Sequence, residues 1–242
     1  MIIGPGMDEP ARRSAFASMV AHELRTPLTA IYGALEIMSR GSPGLDPAHA
    51  ATLVGLAHRN ASRLMRIVED CLDLEAVSDG RLNLQLARVE PMAILELAVA
   101  GAQSAREQTS VEVELHVQSN RAVVGDRARL GRALAHLIQN AVTFAPPGSP
   151  VIVIAQDAPT GNAIRFTVED HGPGVDPELL AQLFQHFDVR QAAGRRRIGG
   201  LGMGLAFVRA MATAHGGEVG VRSGQGETKF WMDIATEGTA ER

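Results

Sequence analysis

The sequence predicts an α+β fold in two parts: a helical hairpin that forms a four-helix bundle with a second copy, followed by an α/β sandwich. Two long apolar stripes at helical spacing occupy the first third of the 242 residues. The remainder mixes runs typical of strands with runs typical of helices. The pattern changes at residues 78–80, so we place the hairpin at 14–79 and the sandwich at 80–242. Residues 1–13 are interpreted as a disordered N-terminus or an expression remnant.

The first helix contains the stretch AHELRTPLTA, residues 21–30. Thr26 and Pro27 together make a good helix start, and this alternative stays open. The apolar stripe keeps its phase on both sides of Pro27, which favours one continuous helix with a bend where the proline lacks an N–H. The stripe consists of Phe16, Val20, Leu24, Leu28, Ile31, Leu35 and Met38.

A second helix follows the Gly/Pro-rich loop GSPGLDP and begins at Asp46-Pro47. A hairpin of two such helices buries only part of each stripe. Both stripes approach coiled-coil spacing, so we expect a homodimer in which two hairpins complete a bundle. The second stripe consists of Leu53, Ala57, Leu64, Ile67, Cys71 and Leu74.

The sandwich is predicted to contain a mixed sheet covered by helices on one face. Strands are expected at 81–86 (RLNLQL), 111–117, just before Asp126, 151–155 and 163–170, with two more at the end of the chain. Helices are expected near 92–108, 129–142, 176–187 and 201–215.

Composition limits the classes of partner. A formal net charge of −4, from 23 basic and 27 acidic residues, argues against a nucleic-acid partner or a polybasic membrane surface. No apolar run approaches the roughly 18 residues that span a bilayer, so we expect a soluble chain without direct membrane contact. The single cysteine, Cys71, lies at an apolar helical position and is interpreted as a packing residue.

His22 is the first candidate for chemistry, because the helical spacing places it away from the apolar stripe. Its imidazole is expected to meet water, and a neutral imidazole is a nucleophile. Glu23 could accept its proton during an attack. A solvated surface histidine is the ordinary alternative. The same face carries Ser18, Arg25, Thr26 and Thr29.

Two glycine-rich segments form the second candidate. DHGPGV, residues 170–175, follows a strand, and its glycines allow a ligand to approach the backbone while Asp170 accepts from an amine. GGLGMGLA, residues 199–206, opens a helix whose free N–H groups suit a phosphate. It does not follow the first strand of a βαβ unit, which argues against a dinucleotide-binding site. Taken singly, each segment is more typical of a turn than of a binding site.

Together these segments resemble the sensor histidine kinases of two-component signalling. HELRTPL resembles the phosphoacceptor box of that family, HLIQNAVTFAP (136–146) its asparagine box, and DHGPGV its first glycine box. LFQHFD (183–188) resembles its phenylalanine box and GGLGMGLA its second glycine box. The five motifs follow the family's order, and the similarity extends over about residues 14–236.

The resemblance implies an ATP- and Mg²⁺-dependent protein-histidine kinase that phosphorylates His22 and passes the phosphoryl group to an aspartate of a response regulator. Glu23 would be the acid–base partner of His22. Thr26 would position a water if the kinase also acts as the regulator's phosphatase. The resemblance further implies a cytoplasmic location, alone or within a longer membrane-associated sensor, and a signal that arrives from an upstream sensor region or a partner protein.

For the sandwich, the resemblance implies the Bergerat-type ATP-binding fold shared with DNA gyrase, heat-shock chaperones and mismatch-repair ATPases. Asn140 would bind Mg²⁺, with His136 as a second candidate ligand, and Asp170 would bind the adenine amino group. The loop between Phe187 and Gly199 would be a lid. The remaining nucleotide-binding candidates are Thr143, Phe144, Gly172, Gly174, Phe187, Gly200, Leu201, Gly202, Met203, Gly204 and Leu205.

Two positions depart from the family's pattern. His136 stands where an asparagine is common, and Thr143 stands where a lysine often reaches a phosphate. The arginines at 195–197 could replace that charge, or could form a solvated basic loop. Two rival functions remain: a degenerate kinase that acts only as a scaffold, and a nucleotide-driven ATPase, which would leave the HELRTPL hairpin unexplained.

Overall fold

The computed structural model describes residues 9–40, 46–180, 183–184, 203–224 and 226–236. The chain divides after Gly80 into two compact units, which are described separately. None of the helices in these ranges has a stretch long and apolar enough to cross a membrane.

The first unit is an antiparallel pair of long helices. Helix α1, Glu9–Ser39, runs without interruption through Pro27, which is buried. The prediction of one continuous helix is therefore confirmed, and Thr26 is not a helix start. The in-phase apolar pattern on both sides of Pro27 agrees with this result, because the pairing of α1 with α2 outweighs the one backbone hydrogen bond that a proline removes.

Helix α2, Pro47–Ser78, begins where the sequence predicts. The Asp46 carboxylate accepts a hydrogen bond of 2.8 Å from the backbone N–H of His49, and Pro47 occupies the first turn. This cap satisfies one of the N–H groups that a helix start leaves without a partner. The helix ends at Ser78, Asp79 caps it, and Gly80 follows with a φ of 65°, a backbone conformation that favours glycine.

The hairpin buries a narrower set of apolar residues than the sequence predicts. Pro27, Ala34, Ile67 and Leu74 are buried between the helices. Leu28 and Leu35, predicted in the buried stripe, are 56% and 52% exposed, because one neighbouring helix covers only one side of α1. They belong to a second apolar stripe, here called the open stripe, that consists of Leu28, Tyr32, Leu35, Val54, Met65, Val68 and Leu72.

The second unit is a mixed sheet packed against helices, as predicted. The strands are β1 Ala87–Val89, β2 Val113–Val117, β3 Val123–Gly125, β4 Val151–Asp157, β5 Ala163–Asp170, β6 Glu218–Gly224 and β7 Glu227–Ala235, and the helices are α3 Pro91–Gly101, α4 Gln103–Thr109, α5 Arg127–Phe144, α6 Pro177–Leu180 and α7 Met203–Ala214. The five-stranded sheet has the order β2-β4-β5-β7-β6, in which only the β2–β4 pair is parallel, and β1 pairs with β3 in a small separate sheet. Helices α3 and α7 pack against α5, and these three helices contribute most of the large fully buried side chains outside the strands.

Three predicted elements of this unit need correction. RLNLQL, residues 81–86, is not a strand, and the strand that pairs with β3 begins just after it, at Ala87. The single helix predicted near 92–108 is two helices that meet at Ala102, beside the close contact of Gly101 with Ala135. Of the helix predicted at 176–187, the structure describes α6 and a turn at residues 183–184.

A buried histidine fixes the start of α5, the helix that carries the asparagine box. His215 Nε2 accepts a 2.9 Å hydrogen bond from the Asp126 N–H, and its other ring nitrogen lies 2.7 Å from the Met211 carbonyl. Burial lowers the pKa of His215, so the ring is held neutral with Nδ1 as the donor. Asp126 in turn caps α5 by accepting from the N–H groups of Ala128 and Arg129.

Candidate functional site

His22 lies on the solvent-exposed side of α1, on the face that helical spacing predicts. Its neighbours on that face, Ser18, Arg25, Thr26 and Thr29, are exposed as well. The imidazole is therefore open to a large phosphate donor or a partner protein.

Thr26 lies one turn after His22. Its hydroxyl is 3.5 Å from the His22 carbonyl oxygen, at the outer limit of a hydrogen bond. The contact is weak, so the hydroxyl can turn toward a water beside the imidazole.

Glu23 has a partner that the sequence analysis missed. Arg63 of α2 places Nη2 3.4 Å from Glu23 Oε2, across the hairpin. The two residues are 40 positions apart, so only the antiparallel pairing of the helices brings them together. The arginine connects α2 to the carboxylate beside His22.

In the second unit, three residues that are candidates for the nucleotide site lie on one face of α5. His136, Asn140 and Phe144 are spaced by four residues and therefore lie on one side of the helix. Asn140 is only 6% exposed, and its Nδ2 has no hydrogen-bond partner among the described residues. A buried amide group in that condition is expected to have a ligand.

Asp170 ends β5 and is 3% exposed. Burial raises the pKa of its carboxyl group, while a 2.8 Å hydrogen bond from the Gly172 N–H opposes that shift. A buried carboxyl group with a raised pKa is typical of functional sites. Its second oxygen remains suited to accept from the amino group of a base.

Gly172 and Gly174 hold the segment after Asp170, here called the glycine loop (residues 172–175), against two other elements. A Cβ on Gly172 would lie 2.8 Å from the Phe144 carbonyl oxygen at the end of α5. Gly174 adopts a φ of 81°, and a Cβ there would lie 2.5 Å from the Gly224 carbonyl oxygen. Only glycine fits at either position, as the sequence analysis expects.

The first turn of α7 meets α5 at His136. A Cβ on Gly204 would lie 3.1 Å from His136 Nδ1, and the His136 ring packs edge-on against Phe207 at 5.5 Å. Met203 and Leu205 are buried beside this contact. The structure therefore brings the start of the second glycine box next to Asn140 on the same face of α5.

The other nucleotide-site candidates are placed as follows. Thr143 is exposed, and its hydroxyl donates to the Gln139 carbonyl oxygen at 2.7 Å. Phe144 is half-buried. The predicted lid and the residues Phe187, Gly200, Leu201 and Gly202 lie outside the described residues.

The closing hairpin adds two residues that the sequence analysis missed. Thr228 of β7 is the direct partner of Asp170 in the sheet, and both are 3% exposed. Its hydroxyl lies 3.0 Å from that of Ser223 on β6. The sequence signal for Thr228 was its position after the glycines of GQGET. Its relation to Asp170 becomes visible only from the pairing of β7 with β5.

No group of three His, Cys, Asp or Glu side chains able to hold a metal ion occurs in the part of the chain that the structure describes. A metal ion beside Asn140 would therefore need oxygen ligands from a bound nucleotide, which Mg²⁺ commonly uses.

Two family models match the chain in sequence. The His Kinase A (phospho-acceptor) domain matches residues 12–80, and the histidine kinase-, DNA gyrase B- and HSP90-like ATPase matches residues 125–237. The first covers the hairpin with His22, and the second contains Asn140, Asp170 and the second glycine box.

The chain is also similar to individual proteins, among them two that are named as histidine kinases. A sensor-like histidine kinase of Rhizobium meliloti is 34% identical over 95% of this chain and 44% of its own length. The Acinetobacter baumannii histidine kinase AdeS is 25% identical with a TM-score of 0.63, over 90% of this chain and 98% of the AdeS chain. Full-length ShkA, solved in complex with AMPPNP, is 27% identical with a TM-score of 0.62, over 93% of this chain and 46% of ShkA.

This chain spans less than half the length of the curated relatives that it resembles. By its two domain matches and by its similarity to sensor histidine kinases over nearly its whole length, the chain belongs to the sensor histidine kinases of two-component systems.

Proposed function

We propose that the chain is an ATP-dependent protein-histidine kinase that phosphorylates His22 and transfers the phosphoryl group to an aspartate of a response regulator. The observation that carries the proposal is the buried Asn140 side chain, whose Nδ2 has no hydrogen-bond partner among the described residues, in a domain that matches the histidine kinase-, DNA gyrase B- and HSP90-like ATPase. The exposed His22 supplies the acceptor.

ATP fits the cradle between α5, the glycine loop and α7. Asp170 accepts from the adenine amino group, and the missing side chains of Gly172 and Gly174 leave the loop close to its neighbours. The AMPPNP complex of ShkA supports a nucleotide in this domain. Asn140 would hold Mg²⁺ through its side-chain oxygen, with His136 as a second candidate ligand, and the metal would neutralise phosphate charge. The remaining candidates are Thr143, Phe144, Phe187, Gly200, Leu201, Gly202, Met203, Gly204 and Leu205.

In the phosphoryl transfer, a neutral ring nitrogen of His22 attacks the γ-phosphorus of ATP. The N–P bond forms as the bond from that phosphorus to the bridging oxygen breaks, and ADP leaves. The ring proton passes to Glu23. In the second step, an aspartate oxygen of the response regulator attacks the same phosphorus and the N–P bond breaks.

A second activity is proposed for Thr26. Its hydroxyl is exposed one turn from His22 and makes only a long hydrogen bond, of 3.5 Å, to the His22 carbonyl oxygen. A hydroxyl can donate to and accept from a water, so Thr26 is suited to direct that water at the phospho-aspartate of the regulator. The kinase would then also act as the regulator's phosphatase.

The open stripe supports a homodimer. Its seven residues lie at coiled-coil spacing, and a second hairpin would remove them from water. A charged or nucleic-acid partner is a poor match for an apolar surface of this kind. Within a longer protein, the signal would reach the hairpin from an upstream sensor region or a partner protein, and the kinase would work in the cytoplasm.

The function is tested by incubating the purified chain with γ-labelled ATP and Mg²⁺, and then with a panel of response regulators from the source organism. The expected result is label on the chain that is lost in acid, followed by rapid loss of that label to one regulator. A scaffold would incorporate no label, and a simple ATPase would release inorganic phosphate without a labelled protein.

A further inference from the structure

We propose that Ser223 is a positioning residue of the nucleotide site, which holds the glycine loop and turns the Thr228 hydroxyl toward ring nitrogen N1 of adenine. The inference rests on the proposed function, because it concerns the base end of the same ATP site.

Ser223 lies at a junction of two elements. The Val175 N–H of the glycine loop donates to Ser223 Oγ at 2.8 Å. On its other side, Ser223 Oγ lies 3.0 Å from Thr228 Oγ1 and 3.5 Å from the Glu227 carbonyl oxygen. One hydroxyl therefore connects the loop after Asp170 to the β6–β7 hairpin.

The direction of the Ser223–Thr228 hydrogen bond follows from the available protons. A serine hydroxyl has one proton to donate, and Ser223 already accepts from Val175. Its better acceptor is Thr228 Oγ1 at 3.0 Å, since the Glu227 carbonyl oxygen at 3.5 Å is at the limit of a hydrogen bond. When Ser223 donates to Thr228, the threonine keeps its own proton for a ligand.

That proton lies beside the acceptor that Asp170 provides. Asp170 and Thr228 are directly paired residues of antiparallel strands, whose side chains lie on one face of the sheet about 5 Å apart. The edge of adenine presents a donor, the 6-amino group, next to an acceptor, N1. An acceptor from Asp170 and a donor from Thr228 match this pair of atoms.

The loop and the hairpin also touch without Ser223. The backbone of Gly174 approaches the Gly224 carbonyl oxygen so closely that no Cβ fits between them. Loss of the Ser223 hydroxyl is therefore expected to change the hydrogen bonds at the base, while the packing of the loop against the hairpin remains.

Ser119 provides a matched control in the same domain. Its hydroxyl accepts from the Arg121 N–H at 3.2 Å and donates to Asp157 at 3.1 Å, so it too connects two segments. Asp157 lies opposite Ile164 near the start of β5, whereas Asp170 ends that strand. Removing the Ser119 hydroxyl therefore tests the effect of losing two comparable hydrogen bonds at a position distant from the proposed adenine site.

The test measures binding of ATP and of 1-deaza-ATP, in which a C–H replaces N1, by calorimetry. Ser223→Ala is expected to weaken ATP binding about five- to tenfold, the scale of one hydrogen bond, and to leave 1-deaza-ATP binding unchanged. Ser223→Thr, which keeps the hydroxyl, and Ser119→Ala are expected to bind ATP like the wild type. If Ser223→Ala does not fold in a thermal melt, Ser223→Cys, which keeps the volume with a weaker donor, replaces it.

If Ser223→Ala weakens the binding of ATP and of 1-deaza-ATP equally, the residue has a structural role and the inference is overturned. Unchanged ATP binding would also overturn it. A Ser223→Thr variant as weak as Ser223→Ala would also overturn it, because the hydroxyl would then not be the cause. If the wild type binds no ATP, the proposed function fails together with this inference. If Asp170→Asn weakens ATP binding and Ser223→Ala does not, only the role of Ser223 fails.

Discussion

Arg63 of α2 points its guanidinium at Glu23 of α1, with 3.4 Å between Nη2 and Oε2. The contact joins the second helix of the hairpin to the carboxylate that is proposed to take the His22 proton. Exposed ion pairs of this kind contribute about 0–1 kcal/mol, so the arginine orients Glu23 more than it stabilises the hairpin.

Replacement of Arg63 by alanine should therefore slow phosphorylation of His22 about two- to fivefold, which corresponds to the upper range of such a pair. ATP affinity should stay the same, because Arg63 belongs to the other unit. The initial rate of label incorporation at saturating ATP measures the effect. Arg59→Ala, one turn earlier on the same helix, is the control, and equal slowing by both variants would contradict a specific role for Arg63.

Thr26→Ala should separate the two proposed activities. Autophosphorylation and forward transfer do not need a positioned water, so both should remain. Dephosphorylation of the cognate regulator should slow by about one to two orders of magnitude, the scale of losing one positioning contact. Single-turnover decay of phosphorylated regulator measures the difference, and equal loss of both activities would instead indicate a structural role beside Pro27.

Leu72→Asp should separate the homodimer into monomers. Leu72 is 60% exposed in the single chain and lies in the open stripe, where an unpaired carboxylate would be buried by a second copy. Sedimentation of the variant should give the mass of one chain. Leu86→Asp is the control, since Leu86 is similarly exposed but lies outside the hairpin. A wild type that sediments as a monomer would contradict the dimer.

The buried positions in the hairpin determine which substitutions are suitable for testing dimer formation. The sequence places Leu64 and Ile67 in the stripe that is predicted to face a second copy, so it predicts that a charge at either position disrupts the dimer. Ile67 is buried between α1 and α2 of one chain, so a carboxylate there would unfold the hairpin itself. Periodicity identifies an apolar stripe, but the partner of each part of the stripe depends on how the two helices pack.

Asp170→Asn should weaken ATP binding at least tenfold without destabilising the fold. Burial raises the pKa of Asp170, so the folded state binds its proton more tightly than the unfolded state does. At pH 7 the charged group therefore lowers the free energy of unfolding, and a neutral amide removes that penalty. The amide oxygen can still accept from Gly172. Calorimetry and thermal melts measure the two effects, and unchanged ATP affinity would remove Asp170 from the site.

Much of this structure is predictable from the sequence because its strongest signals are local. The uninterrupted stripe predicts one helix through Pro27, and the Asp46-Pro47 pair predicts where α2 begins. The glycine requirement at Gly172 and Gly174 is visible as a motif before the neighbours of the loop are known.

The missed features depend on contacts between distant segments. Alternating leucines in RLNLQL imitate a strand, but the pairing with β3 begins only at Ala87, a register that depends on a segment more than 30 residues away. Arg63 becomes relevant only when the hairpin closes on Glu23, and Thr228 only when β7 aligns with β5. No local pattern in a single sequence contains that information.

Phosphorylation of His22 is measured most directly by incubating the wild type and His22→Gln with γ-labelled ATP and Mg²⁺, and by treating the products with acid and with alkali. The wild type should carry one label that acid removes and alkali does not, and His22→Gln should carry none while it binds ATP as tightly as the wild type. An unlabelled wild type that binds ATP, or an acid-labile label that persists on His22→Gln, would contradict the assignment of His22 as the phosphorylated residue.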